Sequence, residues 1–321
     1  MKYTVLTLFP EITDAFFATS IMAKAIARGI IEYRAINIRD FALDRHKTCD
    51  DAPYGGGPGM LMLPEPLGRA LEAAGIERKG AALPEGAEPG GEGGAGRGPG
   101  ALRGREPPLR GCPPRRGGAQ DAPRAAGAGG EASPLPFPIP KGGKMAVCLS
   151  PSGRRLDQAL ARELAGLGEL VLVCGRYEGI DQRVIDLYID EEVSVGDYVL
   201  SSGEVAALAL IDATYRLVGE VIAPGSLREE SFSGGLLEYP QYTRPEIYGT
   251  MRVPEALLSG HHENIRRWRL ERRVERTLRS RPDLILRGRE AGAFDAETSG
   301  IIGRLLPAEG ARRKETEDER D

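Results

Sequence analysis

Charged residues stand beside glycines in two short stretches of this chain. One is Gly175-Arg176-Tyr177-Glu178-Gly179; the other runs Gly196-Asp197-Tyr198-Val199-Leu200-Ser201-Ser202-Gly203-Glu204. Each follows an apolar run, Leu170 to Cys174 and Glu192 to Val195, with the length and content of a buried strand. Glycine lets backbone approach a ligand closely, and open α/β sheets bind ligands at the carboxyl ends of their strands. Either stretch alone reads equally well as an ordinary strand-to-helix turn; two in one window, both with charge beside the glycines, favour a site. A third glycine cluster, Gly55-Gly56-Gly57-Pro58-Gly59, follows the charged run Asp44 to Tyr54. Four glycines and a proline in five residues exclude regular structure. The cluster is either a flexible surface loop or a backbone platform that a flat base or a phosphate can approach. It is not a Walker phosphate loop, because no Gly-Lys-Ser/Thr follows. Finally, Arg266 to Arg281 holds eight arginines against Glu271 and Glu275, with Trp268 among them. A solvated helix face is the ordinary reading of such a run, but an excess this one-sided suits RNA phosphates.

The elements that must position these groups follow from periodicity. Tyr3 to Phe9 alternates as a first strand, Ile12 to Arg28 has apolar residues at helical spacing with Gly29 as its stop, and Glu32 to Ile38 alternates again. Strand, helix, strand predicts a parallel α/β unit. Leu63 to Ala74 reads as a helix with Pro64 in its first turn. From Glu77 to Gly143 the composition changes: 18 glycines and 12 prolines in 67 residues cannot bury enough surface to offset ordering. This segment is expected to be a disordered insertion; its arginines, such as Arg103 and Arg110, are solvated or touch RNA. Met145 to Leu149 is a strand ending in a turn at Ser150 to Leu156, and Asp157 to Gly166 is helical. Glu204 to Val218 is a helix apolar on much of its surface, hence core or oligomer face. Gly219 to Gly235 has no period and reads as a linker; Pro254 begins one long helical pattern reaching Leu286.

The bulk numbers set bounds. A length of 321 residues has room for two domains, and 41% apolar content is enough for a real core. The net charge of -4 argues, taken alone, against a nucleic-acid binder. Cys49, Cys112, Cys148 and Cys174 form no C-x-x-C pair, and His46, His261 and His262 are too few for a metal cluster. No run approaches 18 apolar residues, so a soluble cytoplasmic protein with no membrane contact is expected.

Cys174 to Asp181 followed by Gly196 to Glu204 resembles the bacterial tRNA (guanine-N1)-methyltransferases of the knotted SPOUT class. Arg45 to Met60 closely resembles the same family, and Tyr242-Thr243-Arg244-Pro245 resembles a stretch at the head of its second domain. The resemblance implies an α/β fold: a SPOUT-type parallel sheet with a C-terminal trefoil knot, plus a small helical C-terminal domain. It implies a methyltransferase domain over residues 1–223 carrying the insertion 77–143, an interdomain linker at 224–238, a tRNA-binding domain at 239–308 and a disordered tail at 309–321. It departs from the family at Ser202-Gly203-Glu204, where the family has Gly-Gly-Glu, and in the insertion.

The implied reaction moves a methyl group from S-adenosylmethionine to N1 of guanine-37, beside the tRNA anticodon. N1 carries a proton at neutral pH, which a positioned carboxylate could take; charge then grows on O6, where an arginine or a metal ion would stabilise it. Candidates are Glu178, Asp181, Asp197, Arg176, Arg216, Glu229 and Glu230. The family's base lies in an Asp-Ser-Phe sequence, which here is Glu230-Ser231-Phe232. The resemblance therefore assigns Glu230 as base, with Glu229 as the alternative, and Arg216 as the orienting, electrostatic residue. It places Arg216 and Glu178 around one pocket. Cofactor contacts fall on Leu149, Ser150, Pro151 and Gly153; on Gly175, Tyr177, Glu178 and Gly179; and on Ser194, Val195, Gly196, Tyr198, Leu200, Ser202 and Gly203. Pro58 and Gly59 are target-base contacts, Asp50 belongs to the wider tRNA site, and Trp268, Arg266 and Arg267 are tRNA contacts. The resemblance further implies magnesium, with Glu178 as its candidate ligand, and a homodimer whose active site is shared between subunits, acting on the anticodon stem-loop. Two rivals stand beside this reading: a SPOUT enzyme for another RNA position, which would lack the platform at Tyr54 to Met60, and a non-catalytic RNA-binding relative, for which Glu230 and Ser202 speak.

Overall fold

The computed structural model describes residues 1–80, 143–222 and 224–306. The chain runs β1 (Lys2–Thr7), α1 (Pro10–Phe17), α2 (Ser20–Ala27), β2 (Glu32–Asn37), a 3-10 turn (Ile38–Phe41), β3 (Asp50–Asp51), β4 (Leu61–Met62) and α3 (Pro64–Ala73). It continues with β5 (Lys144–Arg155), α4 (Gln158–Ala165), β6 (Glu169–Val173), α5 (Gln182–Tyr188), β7 (Glu191–Ser194) and α6 (Gly203–Tyr215). Then follow α7 (Pro224–Arg228), β8 (Ile247–Tyr248), β9 (Met251–Arg252), α8 (Glu255–Leu258), α9 (His262–Ser280) and α10 (Pro282–Glu290). Residues 296–306 are also helical.

Five strands form one parallel sheet in the order β2-β1-β6-β5-β7. Helices cover both faces, which is why β6 and the first half of β5 read as continuous apolar runs, whereas β2, at the sheet edge, alternates. Tyr3, Val5, Leu170, Leu172, Met145 and Val147 face a core shared with α1, α2, α4 and α6. Leu6, Val171, Val173, Ala146 and Cys148 face a second core with α3 and α5. The α/β parallel sheet expected from the sequence is therefore present. A third, smaller cluster joins Leu236, Val274, Leu278, Ile285, Ile301 and Ile302. Thr277, fully buried, ties Leu237 to this cluster by accepting its N–H at 2.9 Å. Among the described residues no helix is long and apolar enough to cross a membrane.

Four expectations are corrected. The helix over Ile12 to Arg28 is two helices, because Ser20 takes a left-handed φ of 52° and redirects the chain, which lets both Phe17 and Met22 reach the core. The turn at Ser150 to Leu156 is an interruption within β5: Leu149 and Arg154 both align with Val193, so the residues between them loop out and the strand resumes. The long helix from Pro254 breaks at Gly260, with φ of 70°, and at Pro282, which lacks an N–H. The stretch Gly219 to Gly235 is not wholly irregular, since α7 lies within it. The insertion lies outside the described residues save at its ends, where Lys79 N–H donates to Leu187 O at 2.8 Å and Gly143 O accepts Gly168 N–H at 3.0 Å. The tail at 309–321 also lies outside them.

Gly153 makes the β5 interruption steric. A Cβ there would lie 2.3 Å from the Glu192 carbonyl carbon, and backbone cannot yield cheaply. Gly153→Ala is expected to cost about 1–3 kcal/mol in urea unfolding. Gly300→Ala, at a helical glycine with nothing within 4 Å, is expected to be neutral or to stabilise by about 0.5–1 kcal/mol.

Candidate functional site

The loops at the carboxyl ends of β5, β6 and β7 converge on one open cleft of about 210 Å³. Leu149, Ser150 and Pro151 line it from the β5 interruption, Gly175 to Gly179 from the loop after β6, and Val193 to Gly196 and Tyr198 to Gly203 from the loop after β7. Every predicted cofactor contact lies on its wall except Gly153, which is packed against Glu192 and Val193 instead. The loops are locked to one another through backbone. Gly203 N–H donates to Gly175 O at 2.8 Å, and a Cβ at Gly203 would meet Gly175 N at 2.6 Å. Ser202, where the resembled family has glycine, has an extended φ of -163°. Any residue adopts that conformation, so the serine introduces no backbone strain.

The glycine platform joins this cleft. Met60 O accepts Glu178 N–H at 3.0 Å, Met62 N–H donates to Gly179 O at 2.9 Å, and Met62 forms a parallel bridge with Ile180. Gly59, exposed and at φ of 89°, lies against Glu178: a Cβ there would come within 2.3 Å of the Glu178 Cγ. Pro58 is exposed beside it. Asp50, paired through β3 with Met62, faces the Tyr177 hydroxyl; burial first, and then that carboxylate, push the tyrosine pKa upward. Gly59→Ala is expected to lower the activity of this site at least about tenfold, because strain at positive φ and displacement of Glu178 act together. A melting temperature unchanged within about two degrees would place the effect in the site.

Arg216 and Glu230 are elsewhere. Arg216 caps the far end of α6 and binds Glu230 Oε1 through Nη2 at 2.5 Å. Glu230 lines a different surface depression, with Gln158, Arg162, Leu217 and Ser233. Gly203 at the cleft and Arg216 are separated by the whole of α6, about 20 Å at 1.5 Å per residue. The expectation that Arg216 and Glu178 frame one pocket is therefore corrected within a single chain. Glu229 has other partners: Tyr239 donates to it at 2.9 Å and Arg269 Nη1 at 3.3 Å. Asp181 caps α5 and is held low by its hydrogen bonds from Arg183, while Asp197 is exposed. Among the described residues no group of three or more His, Cys, Asp or Glu could hold a metal ion.

The basic strip is less free than its composition implied. Arg266 is bound by Glu263 and Glu297, Arg269 by Glu229, Arg272 by Glu275 and Arg281 by Asp283. Arg273 donates to the carbonyls of Ser233 and Leu237. The tertiary fold brings acids and carbonyls that a local count omits. Arg267, 3.9 Å from Glu271, stays largely exposed, and Trp268 lies 6.2 Å from Tyr242, ring to ring.

Sequence reasoning left Glu204 without a role. It is fully buried, accepts Thr7 Oγ1 at 2.6 Å, and faces Arg176 Nε, 3.1 Å from its Oε2. The available signal was a carboxylate in the first turn of a largely apolar helix.

The model of a family described as tRNA (Guanine-1)-methyltransferase TrmD matches residues 1–88 and 138–287, breaking inside the glycine- and proline-rich segment. A tRNA (guanine-N(1)-)-methyltransferase of Treponema denticola is 46% identical over 94% of this chain and 98% of its own length. Proteins of the same name from Treponema pallidum and Borrelia duttonii are 45% and 44% identical, over 95% and 92% of this chain and 96% and 99% of theirs.

Proposed function

We propose, because this chain belongs to the tRNA (guanine-1)-methyltransferase family, that it moves a methyl group from S-adenosylmethionine to N1 of guanine-37 in tRNA. The single observation that carries the cofactor reading is the convergence of three loops, with nearly all the expected contacts, on one cleft. S-adenosylmethionine bound there supplies an electrophilic methyl group. The chain's own work is alignment and proton removal. Pro58 and Gly59 present exposed backbone to the target base, next to Glu178 at the cleft. Asp50 extends the tRNA surface, and Trp268, Arg266 and Arg267 lie on the tRNA-facing side of a domain spanning 239–308, joined by the linker 224–238. The loops from β6 to α6 form the trefoil knot; the lodging of Gly203 against Gly175 supports that assignment.

Glu230 is the base and Arg216 its orienting partner; their ion pair supports the assignment. About 20 Å of α6 separates this pair from the cleft of the same chain, so the base that serves one cleft comes from a second copy. That separation supports a homodimer with two shared sites, as do the exposed apolar side chains Tyr198, Val199 and Val205 at the cleft and the start of α6. Among the described residues Glu178 is the only carboxylate lining the cleft. Magnesium is commonly held by one or two carboxylates with substrate oxygens and water, so Glu178 would hold it, and the ion would supply positive charge near O6. The protein works in the cytoplasm, where tRNA is.

Single-turnover transfer of labelled methyl to tRNAs with and without guanine at position 37 tests the reading. The expected result is N1-methylguanine at that position only. Methyl transfer to another nucleotide would favour the rival SPOUT reading, and binding of tRNA and cofactor without transfer would overturn the enzyme.

A further inference from the structure

We propose that Arg176 takes the carboxylate at the methionyl end of the cofactor, and that Glu204, buried behind it, is the positioning residue that aims it. The inference rests on the S-adenosylmethionine reading of the cleft. Among the described residues Arg176 is the single cation on the cleft wall, and the carboxylate is the single anion of the cofactor. The arginine is held on its inner side. Its guanidinium carbon lies 4.4 Å over the Phe9 ring, and its Nε–H donates to Glu204 Oε1 at 3.4 Å. No hydrogen bond from either of its terminal nitrogens is found among the described residues. These two nitrogens form the planar fork that matches a carboxylate.

Glu204 is not explained by stability. It is fully buried, and its Oε2 makes no hydrogen bond although Arg176 Nε lies 3.1 Å away. A buried carboxylate so sparsely satisfied stabilises a fold less than an apolar residue of similar size would. What it does is fix a ligand-facing cation. Thr7 completes the mount: its Oγ1 donates to Glu204 at 2.6 Å and accepts Phe9 N–H at 2.9 Å, so one hydroxyl orders both the anion and the ring that Arg176 touches. The ends of β1 and β6 and the start of α6 thus converge on one guanidinium.

The test measures binding of two probes to the full chain by calorimetry: S-adenosylhomocysteine and its decarboxylated amine analogue, which differ only in the carboxylate. The unsubstituted protein is expected to prefer the carboxylate form at least about tenfold, the size of one charge-assisted pair. Arg176→Ala is expected to erase that preference by weakening only S-adenosylhomocysteine, and Arg176→Lys to reduce it, since charge remains but the fork is lost. Glu204→Gln keeps a partner for Thr7; it is expected to lower the preference at least about threefold with an unchanged or higher melting temperature. Equal binding of both probes to the unsubstituted protein, or a parallel loss of both in Arg176→Lys, overturns the carboxylate assignment. An intact preference in Glu204→Gln overturns the positioning role. Binding of neither probe to the unsubstituted protein overturns the cofactor reading itself, a result distinct from the other three.

Discussion

Glu230→Gln is expected to lower single-turnover methyl transfer by about 10²–10⁴-fold while cofactor and tRNA still bind, the range for loss of one general base. The amide oxygen can still accept from Arg216, so the local geometry is retained; what is lost is a group able to take the N1 proton. In barrier terms this is about 3–5.5 kcal/mol. Glu229→Gln is the control. Glu229 is tied to Tyr239 and Arg269, not to Arg216, so its substitution is expected to loosen the attachment of α9 and lower the melting temperature, with single-turnover transfer within about threefold of the starting protein. If Glu229→Gln abolished transfer and Glu230→Gln spared it, the assignment of the base would be reversed.

The second large effect concerns the two-chain site. Gly203→Val should destroy the cleft in its own chain, because a side chain there meets the Gly175 backbone at 2.6 Å. Glu230→Gln should disable the base in its own chain. Each homodimer is then inactive for a different reason. A mixed dimer has one cleft built from an intact loop set and served by an intact Glu230. Mixing the two inactive proteins under exchange conditions is expected to restore about half of normal activity per mixed dimer, since one of its two symmetric sites is complete. Mixed dimers that form, as shown by differently tagged chains, yet stay inactive would sink the shared site. Activity of a strictly monomeric preparation would sink it as well.

Much of the cleft was legible because it is made of local signals. Apolar runs ending in glycines mark strand ends, and at Gly175, Gly179 and Gly196 the backbone itself lines the cleft, so residue type and spacing were sufficient. The resemblance added residue roles that spacing does not contain, above all for Glu230. The helix breaks were less legible: the left-handed Ser20 carries no glycine to announce it, and Gly260 inside a helical pattern could be read as tolerated.

By itself the sequence determined the α/β class, the parallel sheet, the three loops and the platform, because hydrophobic period and glycine placement act over a few residues. Only the tertiary structure decided three things. It put Glu230 and Arg216 at the opposite end of α6 from the cleft, since a helix separates its ends by its length. It tied Arg266, Arg269 and Arg281, three of the strip's eight arginines, to Glu297, Glu229 and Asp283, because charge balance is settled by neighbours in space. And it turned Glu204 from one more carboxylate in a helical stretch into a buried mount for Arg176, a role that exists only where the ends of β1, β6 and α6 meet.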